Sequence, residues 1–257
     1  MKNRVYWLIL VLLIAIAASY LLLDKPIALH ESKGPTTQTS SVAEPSEIQK
    51  NEIQTSASEL KYDNQKVKLD IYNPKSFNCP VVILIHGSAG IEGDRAIRYR
   101  GFATDLMNKG IIAINVHYFD SQQSDWVKTI IKTIDYAEAI PNANKNKIGI
   151  VGYSLGGTLA LQAASADKRV TLLAIGAGYL PPGFTKEDAK RLPSTYMISG
   201  NKDDAINTLN QLKAWFEEFN KPFKSKIDEG VGHAAPANLF EEDWRTIVEF
   251  FTENFGL

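Results

Sequence analysis

The chain has 257 residues, of which 44% are hydrophobic and 22% are charged, and its formal net charge is -1. This near-neutral balance without a basic stripe argues against a nucleic-acid-binding protein. The single cysteine, Cys79, excludes an intramolecular disulfide, and no Cys or His cluster has the spacing of a zinc site. We therefore expect no metal and no nucleic-acid partner, and the sequence makes no prediction of the oligomeric state.

The first long apolar run covers residues 5–23, contains no charged side chain and follows Lys2 and Arg4. A helix of about 19 residues spans about 28 Å, close to the thickness of the hydrocarbon core of a bilayer. The two preceding cations predict that residues 1–4 stay in the cytoplasm. We therefore predict a transmembrane signal-anchor that holds the rest of the chain outside the cytoplasm, in the periplasm or the extracellular space.

A cleaved signal peptide is the alternative for this run, because Ala15-Ile16-Ala17 resembles a cleavage site. The apolar residues continue beyond this point to a length that spans a membrane, which favours the anchor. Both hypotheses export the remainder of the chain, and cleavage would make the protein secreted.

Residues 24–58 form the second segment, which is rich in Ser, Thr, Gln and Glu and contains no Phe, Tyr or Trp. Such a composition buries too little apolar surface to offset the entropy of ordering. We predict a disordered tether with a mean span of about 30 Å. The folded domain is placed at residues 59–257.

Residues 59–257 alternate between strand-like and helix-like patterns. Strand-like apolar patterns fall at residues 67–71, 81–87, 111–119, 147–153, 170–178, 195–200 and 222–230. Apolar residues at helical spacing fall at 98–109, 125–140, 155–166, 205–220 and 239–254. This alternation predicts an α/β fold with a mostly parallel sheet covered by helices on both faces. Functional side chains in such folds gather at the carboxyl ends of the strands.

The segment GYSLG, residues 152–156, stands between an apolar strand and a helix of small residues. A serine at such a turn adopts strained backbone angles, and Gly152 and Gly156 keep the strand and the helix from clashing. The turn presents the Ser154 hydroxyl near the helix N-terminus, whose N–H groups favour a developing oxyanion. A glycine-rich turn that only packs a helix on a strand is the alternative. The strand–turn–helix context favours a nucleophile.

A serine nucleophile needs a general base, and His233 suits this role. It is the only histidine after Ser154 and lies in a glycine-containing loop between the last strand and the last helix. His30 falls in the tether, His86 ends a buried strand where we expect it to shape a loop, and His117 suits a packing or pocket-wall position. We therefore predict His233 as the base.

The base needs a carboxylate that orients the imidazole and stabilises its charged form. Asp203 and Asp204 follow a strand that ends at Gly200. Because Asp204 directly precedes the helix that begins near Ala205, it suits the N-cap position. We predict Asp203 as the triad acid and Asp204 as the cap, with the reverse assignment as the alternative.

The order Ser154, Asp203, His233 around a nucleophile elbow matches that of the α/β-hydrolases. Residues 60–257 resemble this superfamily, and most closely its dienelactone hydrolase-like branch. The segments that carry the resemblance are VVILIHGSAG, INVHYF, DWVKTIIKTIDYAEAI, KIGIVGYSLGG, SGNKDD and EGVGHAA. The resemblance implies an oxyanion hole made of two backbone N–H groups. One belongs to Leu155, and the other to Ser88, with Ala89 as the less favoured donor.

The elbow departs from dienelactone hydrolases proper, which use a cysteine where this chain has Ser154. Their substrate is therefore not transferred, and the serine points to general ester chemistry. The connection 179–193 is too short for the large lid of many lipases, so we expect an open cleft and small substrates. The pocket candidates are Ala89, Tyr118, Phe119 and Tyr153, of which the aromatic residues suit the core equally well.

The predicted function is a membrane-tethered serine hydrolase that cleaves ester bonds of small acyl substrates through an acyl-enzyme, without a metal or organic cofactor. A peptidase or an acyltransferase on the same triad is an alternative, because acyl groups also transfer to and from amines and alcohols. A catalytically silent binding module is a third hypothesis, against which the intact Ser154, Asp203 and His233 argue.

Overall fold

The computed structural model describes residues 55–74, 76–92, 94–233 and 236–257. The predicted anchor at residues 5–23 and the predicted tether up to residue 54 lie outside the described residues. Within the described part of the chain, no helix combines the length and the apolar character needed to cross a membrane. The first described strand begins at Thr55, so the predicted domain boundary at Glu59 falls inside that strand and residues 55–58 belong to the sheet.

The secondary structure alternates along the described chain. The strands are β1 (Thr55–Tyr62), β2 (Gln65–Tyr72), β3 (Cys79–Ile85), β4 (Ile112–Val116), β5 (Ala143–Tyr153), β6 (Val170–Gly176), β7 (Ser194–Gly200) and β8 (Phe223–Asp228). The α-helices are α1 (Asp94–Asn108), α2 (Trp126–Glu138), α3 (Leu155–Ala166), α4 (Lys186–Arg191), α5 (Ala205–Glu218) and α6 (Pro236–Phe255). Two short 3-10 turns, Tyr118–Asp120 and Gln123–Asp125, precede α2.

The eight strands form one sheet in the order β1-β2-β4-β3-β5-β6-β7-β8. β1 pairs antiparallel with β2, and β2 with β4, whereas the pairs from β4 to β8 are parallel. The chain passes from β3 outward to β4 and then returns to β5 on the other side of β3. A crevice forms at such a reversal, beyond the carboxyl ends of the strands. β3 and β5 border it here.

The core has two layers because the central strands are apolar throughout. Every residue of β3 is buried, and its successive side chains point to opposite faces of the sheet. Ile83 and Ile85 pack in the cluster that includes α2, α3 and α5, while Val82 and Leu84 pack in the cluster that includes α1 and α6. The predicted α/β fold, with a mostly parallel sheet and helices on both faces, is confirmed.

The connection between β6 and β7 is small. Residues 177–193 contain one six-residue helix, α4, and no other helix or strand is described between these two strands. A capping box starts α4, because the Thr185 hydroxyl accepts the N–H of Asp188 and the Asp188 carboxylate accepts the N–H of Thr185.

Candidate active site

Ser154 stands at the sharp turn between β5 and α3. Its backbone angles are φ 54° and ψ −120°, which a residue with a side chain rarely adopts. A Cβ added to Gly152 would lie 2.2 Å from Gly156 O, and a Cβ added to Gly156 would lie 2.2 Å from Ile85 O. Only glycine therefore allows the strand and the helix to approach this closely. The Ser154 N–H donates to Gly176 O at 2.8 Å and ties the turn to β6.

Three side chains from different loops meet at this turn. His233 Nε2 lies 2.8 Å from Ser154 Oγ, and His233 Nδ1 lies 2.8 Å from Asp203 Oδ2. Because the carboxylate accepts at Nδ1, that nitrogen carries the ring proton and Nε2 is left to accept the serine proton. Asp203 is only 3% exposed, so its carboxylate is shielded from water, whereas the His233 side chain remains partly exposed. The arrangement has the geometry of a nucleophile, a base and an orienting acid.

Asp203 and Asp204 differ in their hydrogen bonds and in their exposure. Asp203 Oδ1 accepts the Ala205 N–H at 3.0 Å while Oδ2 faces His233. Asp204 is exposed, and its side chain makes no capping hydrogen bond. The prediction that the Asp204 side chain caps α5 is therefore wrong. Asp204 has helical angles, φ −62° and ψ −20°, instead of the extended angles that turn a capping side chain toward the first N–H groups.

Tyr179 joins the same cluster, and the sequence reasoning missed it. Its Oη donates to Asp203 Oδ1 at 3.0 Å and lies 3.2 Å from His233 Nδ1. Burial, followed by the charge of Asp203, raises the pKa of Tyr179, so the phenol stays a donor at working pH. The available signal was its position just after β6, at the sheet edge that carries Ser154 and Asp203.

The loop after β3 lies against the elbow. A Cβ added to Gly87 would lie 3.4 Å from Ser154 Cβ, so the loop backbone runs beside the serine. Gly87 O accepts the Gly90 N–H at 3.1 Å and closes a tight turn. Ser88 and Ala89 occupy the exposed corner of this turn. Both predicted oxyanion donors of the loop therefore directly follow the residue that contacts the elbow, and Leu155 is the first residue of α3.

His86 holds this loop in shape. Its Nδ1 lies 2.8 Å from Gly87 O. Burial lowers the pKa of His86 to about 4, so the ring is neutral and donates its Nδ1 proton to that carbonyl. The ring stacks on Tyr118 with centroids 4.2 Å apart. This geometry agrees with the expected role of His86 in shaping the loop.

The aromatic pocket candidates divide into core and surface. Tyr118 is fully buried and donates to His86 O at 2.8 Å, so it is a core residue and its prediction as a pocket residue is wrong. Phe119 is 40% exposed and packs edge-on against His86, beside the loop after β3. Tyr153 is half-buried, donates to the His233 carbonyl at 3.1 Å and stacks beside the imidazole.

In the part of the chain that the structure describes, His117 and metal-binding groups do not form part of this cluster. His117 Nε2 lies 2.7 Å from Asp70 Oδ2, which ties β4 to β2 and directs this histidine away from the triad. Among the described residues, no group of three or more His, Cys, Asp and Glu side chains is arranged to hold a metal ion.

The sheet order, the elbow after β5 and the loops at the carboxyl edge define an α/β-hydrolase fold. The model of the dienelactone hydrolase family matches residues 67–253. The chain belongs to the dienelactone hydrolase family. No curated protein matches the sequence.

Solved structures share the fold at low sequence identity. Est1E from Butyrivibrio proteoclasticus is 16% identical, with a TM-score of 0.65, over 78% of this chain and 99% of its own. A dienelactone hydrolase from Anabaena variabilis is 17% identical, with a TM-score of 0.63, over 78% of this chain and 98% of its own. Carboxyl esterase 2 from Tuber melanosporum is 15% identical, with a TM-score of 0.66, over 83% of this chain and 89% of its own. These likenesses concern the fold.

Proposed function

We propose that the protein is a serine hydrolase that cleaves ester bonds of small acyl substrates. The observation that carries the proposal is the continuous hydrogen-bonded chain from Ser154 Oγ through His233 to Asp203, with both contacts of the imidazole at 2.8 Å. Membership of the dienelactone hydrolase family supports hydrolytic chemistry. A serine hydroxyl is a weak nucleophile without such a base, and this arrangement supplies one.

The mechanism follows from the positions of these groups. His233 takes the Ser154 proton at Nε2 as Oγ attacks the acyl carbonyl, and Asp203 stabilises the resulting imidazolium. The backbone N–H groups of Leu155 and Ser88 receive the oxyanion, and the α3 N-terminus adds favourable potential. The imidazolium then protonates the leaving alcohol. Water, deprotonated by the same imidazole, releases the acid and restores the serine.

The small connection between β6 and β7 supports an open cleft and small substrates. It contains only the short helix α4. Tyr179, which contacts the triad, and Phe119, beside the loop after β3, have 37% and 40% of their surfaces exposed. A series of nitrophenyl esters from acetate to palmitate measures chain-length preference. We expect the highest kcat/KM on the short esters, and a preference for the long esters would refute an open site for small substrates.

We also propose that residues 5–23 anchor the protein in a membrane and that the catalytic domain lies outside the cytoplasm. The support is the charge-free apolar run preceded by Lys2 and Arg4. Protease digestion of intact cells or spheroplasts tests this orientation. Degradation of the domain in intact spheroplasts is expected, and protection until the membrane is lysed would refute it.

The experiment that tests the function uses the full chain, purified in a mild detergent. A fluorophosphonate probe is added, the labelled residue is mapped, and turnover of short nitrophenyl esters is measured. We expect label on Ser154 together with ester turnover, and neither in Ser154→Ala. The matched control is Ser165→Ala, which removes a serine from the far end of the same helix and should keep both.

Other outcomes favour the other hypotheses. Label on Ser154 with turnover of peptide amides but not of esters would favour a peptidase, and product formation only with an added alcohol or amine would favour an acyltransferase. A folded protein with neither label nor turnover would refute a working triad and favour the binding module.

A further inference from the structure

The turn after β6 has a strained and crowded backbone. Ala177 has φ 48°, in the region that favours glycine, and its N–H donates to Ile198 O at 2.9 Å. A Cβ added to Gly178 would lie 2.6 Å from Ile175 Cγ2 and 3.0 Å from the carbonyl carbon of Gly157. Such strain persists only where the surroundings hold it, and it is common at functional sites. The conformation of this turn is therefore imposed by its neighbours.

Two threonine hydroxyls hold the next two residues of the turn. Thr158 Oγ1 accepts the N–H of Tyr179 at 3.1 Å, and Thr208 Oγ1 accepts the N–H of Leu180 at 3.0 Å. Thr158 lies on α3, the helix that follows Ser154, and Thr208 lies on α5, the helix that follows Asp203. The backbone of Tyr179 is thus positioned against the two helices that follow the nucleophile and the acid.

The phenol of Tyr179 completes the hydrogen bonding of the acid. Asp203 Oδ1 accepts the Tyr179 O–H at 3.0 Å and the Ala205 N–H at 3.0 Å. Asp203 Oδ2 accepts His233 Nδ1–H at 2.8 Å. With three donors from three different segments, the carboxylate cannot rotate without losing at least one bond. Hydrogen bonds to a charged acceptor are the stronger kind, so this constraint is substantial.

We propose that Tyr179 is a positioning residue of the site, which holds the Asp203 carboxylate in line with His233 and withdraws part of its negative charge through the O–H bond. It acts on the reaction through Asp203 and His233 and does not itself exchange a proton. The kinetic part of this inference rests on the proposed hydrolase function. The structural part, in which the phenol sets the pH at which His233 titrates, does not depend on that function.

The consequence for pH follows from the direction of the O–H bond. A donor on Asp203 Oδ1 lowers the field that the carboxylate exerts on the imidazolium. Removing the hydroxyl leaves the Ala205 and His233 bonds to hold the carboxylate, so its main effect is a more negative carboxylate, which holds the His233 proton to higher pH. The groups that face His233 are Ser154 and Tyr153 from the elbow, Asp203 from the loop after β7 and Tyr179 from the turn after β6, with Asp204 acting from further away on Tyr179.

The test compares Tyr179→Phe with Tyr136→Phe in the full chain. Tyr136→Phe also removes one phenol O–H, which in the wild type donates to Ser58 Oγ away from the triad. For Tyr179→Phe we expect the acidic limb of kcat/KM on a short nitrophenyl ester to move up by about half a pH unit. The plateau of kcat should fall about fivefold to tenfold with KM nearly unchanged. Tyr136→Phe should match the wild type. An unchanged or lower midpoint in Tyr179→Phe overturns the proposal, whatever happens to the rate.

A second measurement separates this inference from the proposed function. The imidazole signals of protein labelled at histidine are titrated by NMR, and His233 is identified by its absence from His233→Gln. If the wild type does not hydrolyse esters but His233 titrates higher in Tyr179→Phe, the proposed function fails and the role of Tyr179 stands. If ester turnover is present and the two titrations coincide, the role of Tyr179 fails alone.

If Tyr179→Phe does not fold, Thr208→Val provides a second test of the proposal. It removes the hydroxyl that holds Leu180 and keeps the size of the side chain. We expect a smaller upward shift of the His233 midpoint, because the phenol is retained but less firmly placed. No shift in this variant would overturn the proposal where Tyr179→Phe gives no folded protein.

Discussion

Two turns at the carboxyl edge of the sheet, the elbow at Ser154 and the turn at residues 177–180, use the same physics but differ in how visible they are in the sequence. Each puts a residue with a side chain at positive φ, with φ 54° for Ser154 and 48° for Ala177. Each also contains a crowded glycine, because an added Cβ would lie 2.2 Å from a backbone oxygen at Gly156 and 2.6 Å from the Ile175 side chain at Gly178. The elbow is local, because its strand, serine and helix are consecutive in the chain.

The second turn depends on partners that are distant in the sequence. Thr158 and Thr208 hold its backbone, and Asp203 receives its phenol. A motif detects a conformation whose causes are adjacent residues, and it fails where the causes are 20 to 30 residues away. A strained turn can therefore position residues of a site although the sequence shows no motif for it. Three changes, at Asp203, Gly156 and Gly178, test the two turns, and a fourth, at Asp243, alters a residue outside both.

The largest effect is expected at Asp203, which Tyr179 contacts directly and which Ser154 reaches through His233. Asp203→Asn keeps the shape but leaves an acceptor that no longer stabilises the imidazolium, so kcat should fall by about four orders of magnitude. Asp204→Asn is the matched control, because Asp204 is adjacent, exposed and away from His233. It should change kcat less than about twofold. Equal losses in both variants would contradict the assignment of the acid.

The next effect is expected from Gly156→Ala, which breaks the elbow. Its Cβ would lie 2.2 Å from Ile85 O and 2.5 Å from His86 O, and backbone atoms give way only at high cost. We expect a fall of about a hundredfold in kcat/KM and of about 5 °C in Tm. Gly101→Ala in α1, where an added Cβ meets nothing within 4 Å, should keep the activity and raise Tm slightly. An active, stable Gly156→Ala protein would show that the close contact is not required.

A smaller effect is expected from Gly178→Ala, which disturbs the second turn. Its nearest neighbour is the Ile175 side chain at 2.6 Å, which has more freedom to move than a backbone carbonyl. We expect about a fivefold loss of kcat and a drop of about 2 °C in Tm. The pH profile should shift in the same direction as in Tyr179→Phe. If this variant were as damaging as Gly156→Ala, the second turn would be part of the scaffold rather than an adjustment of the acid.

The smallest effect concerns Asp243 on α6, which lines a cavity of about 20 Å³ behind the elbow. Burial, together with hydrogen bonding and repulsion from Asp228, raises the pKa of Asp243 to about 6, against the opposing attraction of Lys226. The folded state therefore holds this proton more tightly than the unfolded state. This contribution to stability is complete below about pH 4 and is lost as the pH rises through 6.

Asp243→Asn removes that dependence. The Tm of the variant relative to the wild type should be higher at pH 7.5 than at pH 4.5 by about 2 to 4 °C. Thermal unfolding at the two pH values measures it, with Asp204→Asn as a control for the change in net charge. A relative Tm that does not change between the two pH values would contradict the raised pKa. Ester turnover at constant temperature should change little, because neither turn is altered.

Much of the fold was predictable from the sequence. The buried run of β3 and the helical spacing in α2 report their environments directly, because an apolar side chain is stable only where it is covered. The hairpin of β1 and β2 was less clear, and β1 begins before the predicted boundary, because residues 55–58 are mostly polar and none of them is buried. An edge strand held mainly by backbone hydrogen bonds leaves little trace in hydropathy.

The candidate site divides in the same way. Ser154 and His233 were predictable, because the elbow has a local pattern and His233 is the one histidine beyond it. Tyr118 and Phe119 are adjacent aromatic residues, yet one is fully buried and the other is 40% exposed. Which of the two is exposed depends on how the 3-10 turn packs on His86 and Trp126, and those are contacts between elements.

The sequence by itself determined the alternating α/β fold and the resemblance to the family, and it predicted Ser154, Asp203 and His233 as the candidate triad, because hydrophobic period and local turn chemistry are properties of neighbouring residues. Only the tertiary structure decided that Asp203 rather than Asp204 faces His233, that Tyr118 belongs to the core and that Tyr179 donates to the acid. Hydrogen bonds act over about 3 Å and only in certain directions. Such contacts between loops exist only once the sheet has brought the ends of its strands together.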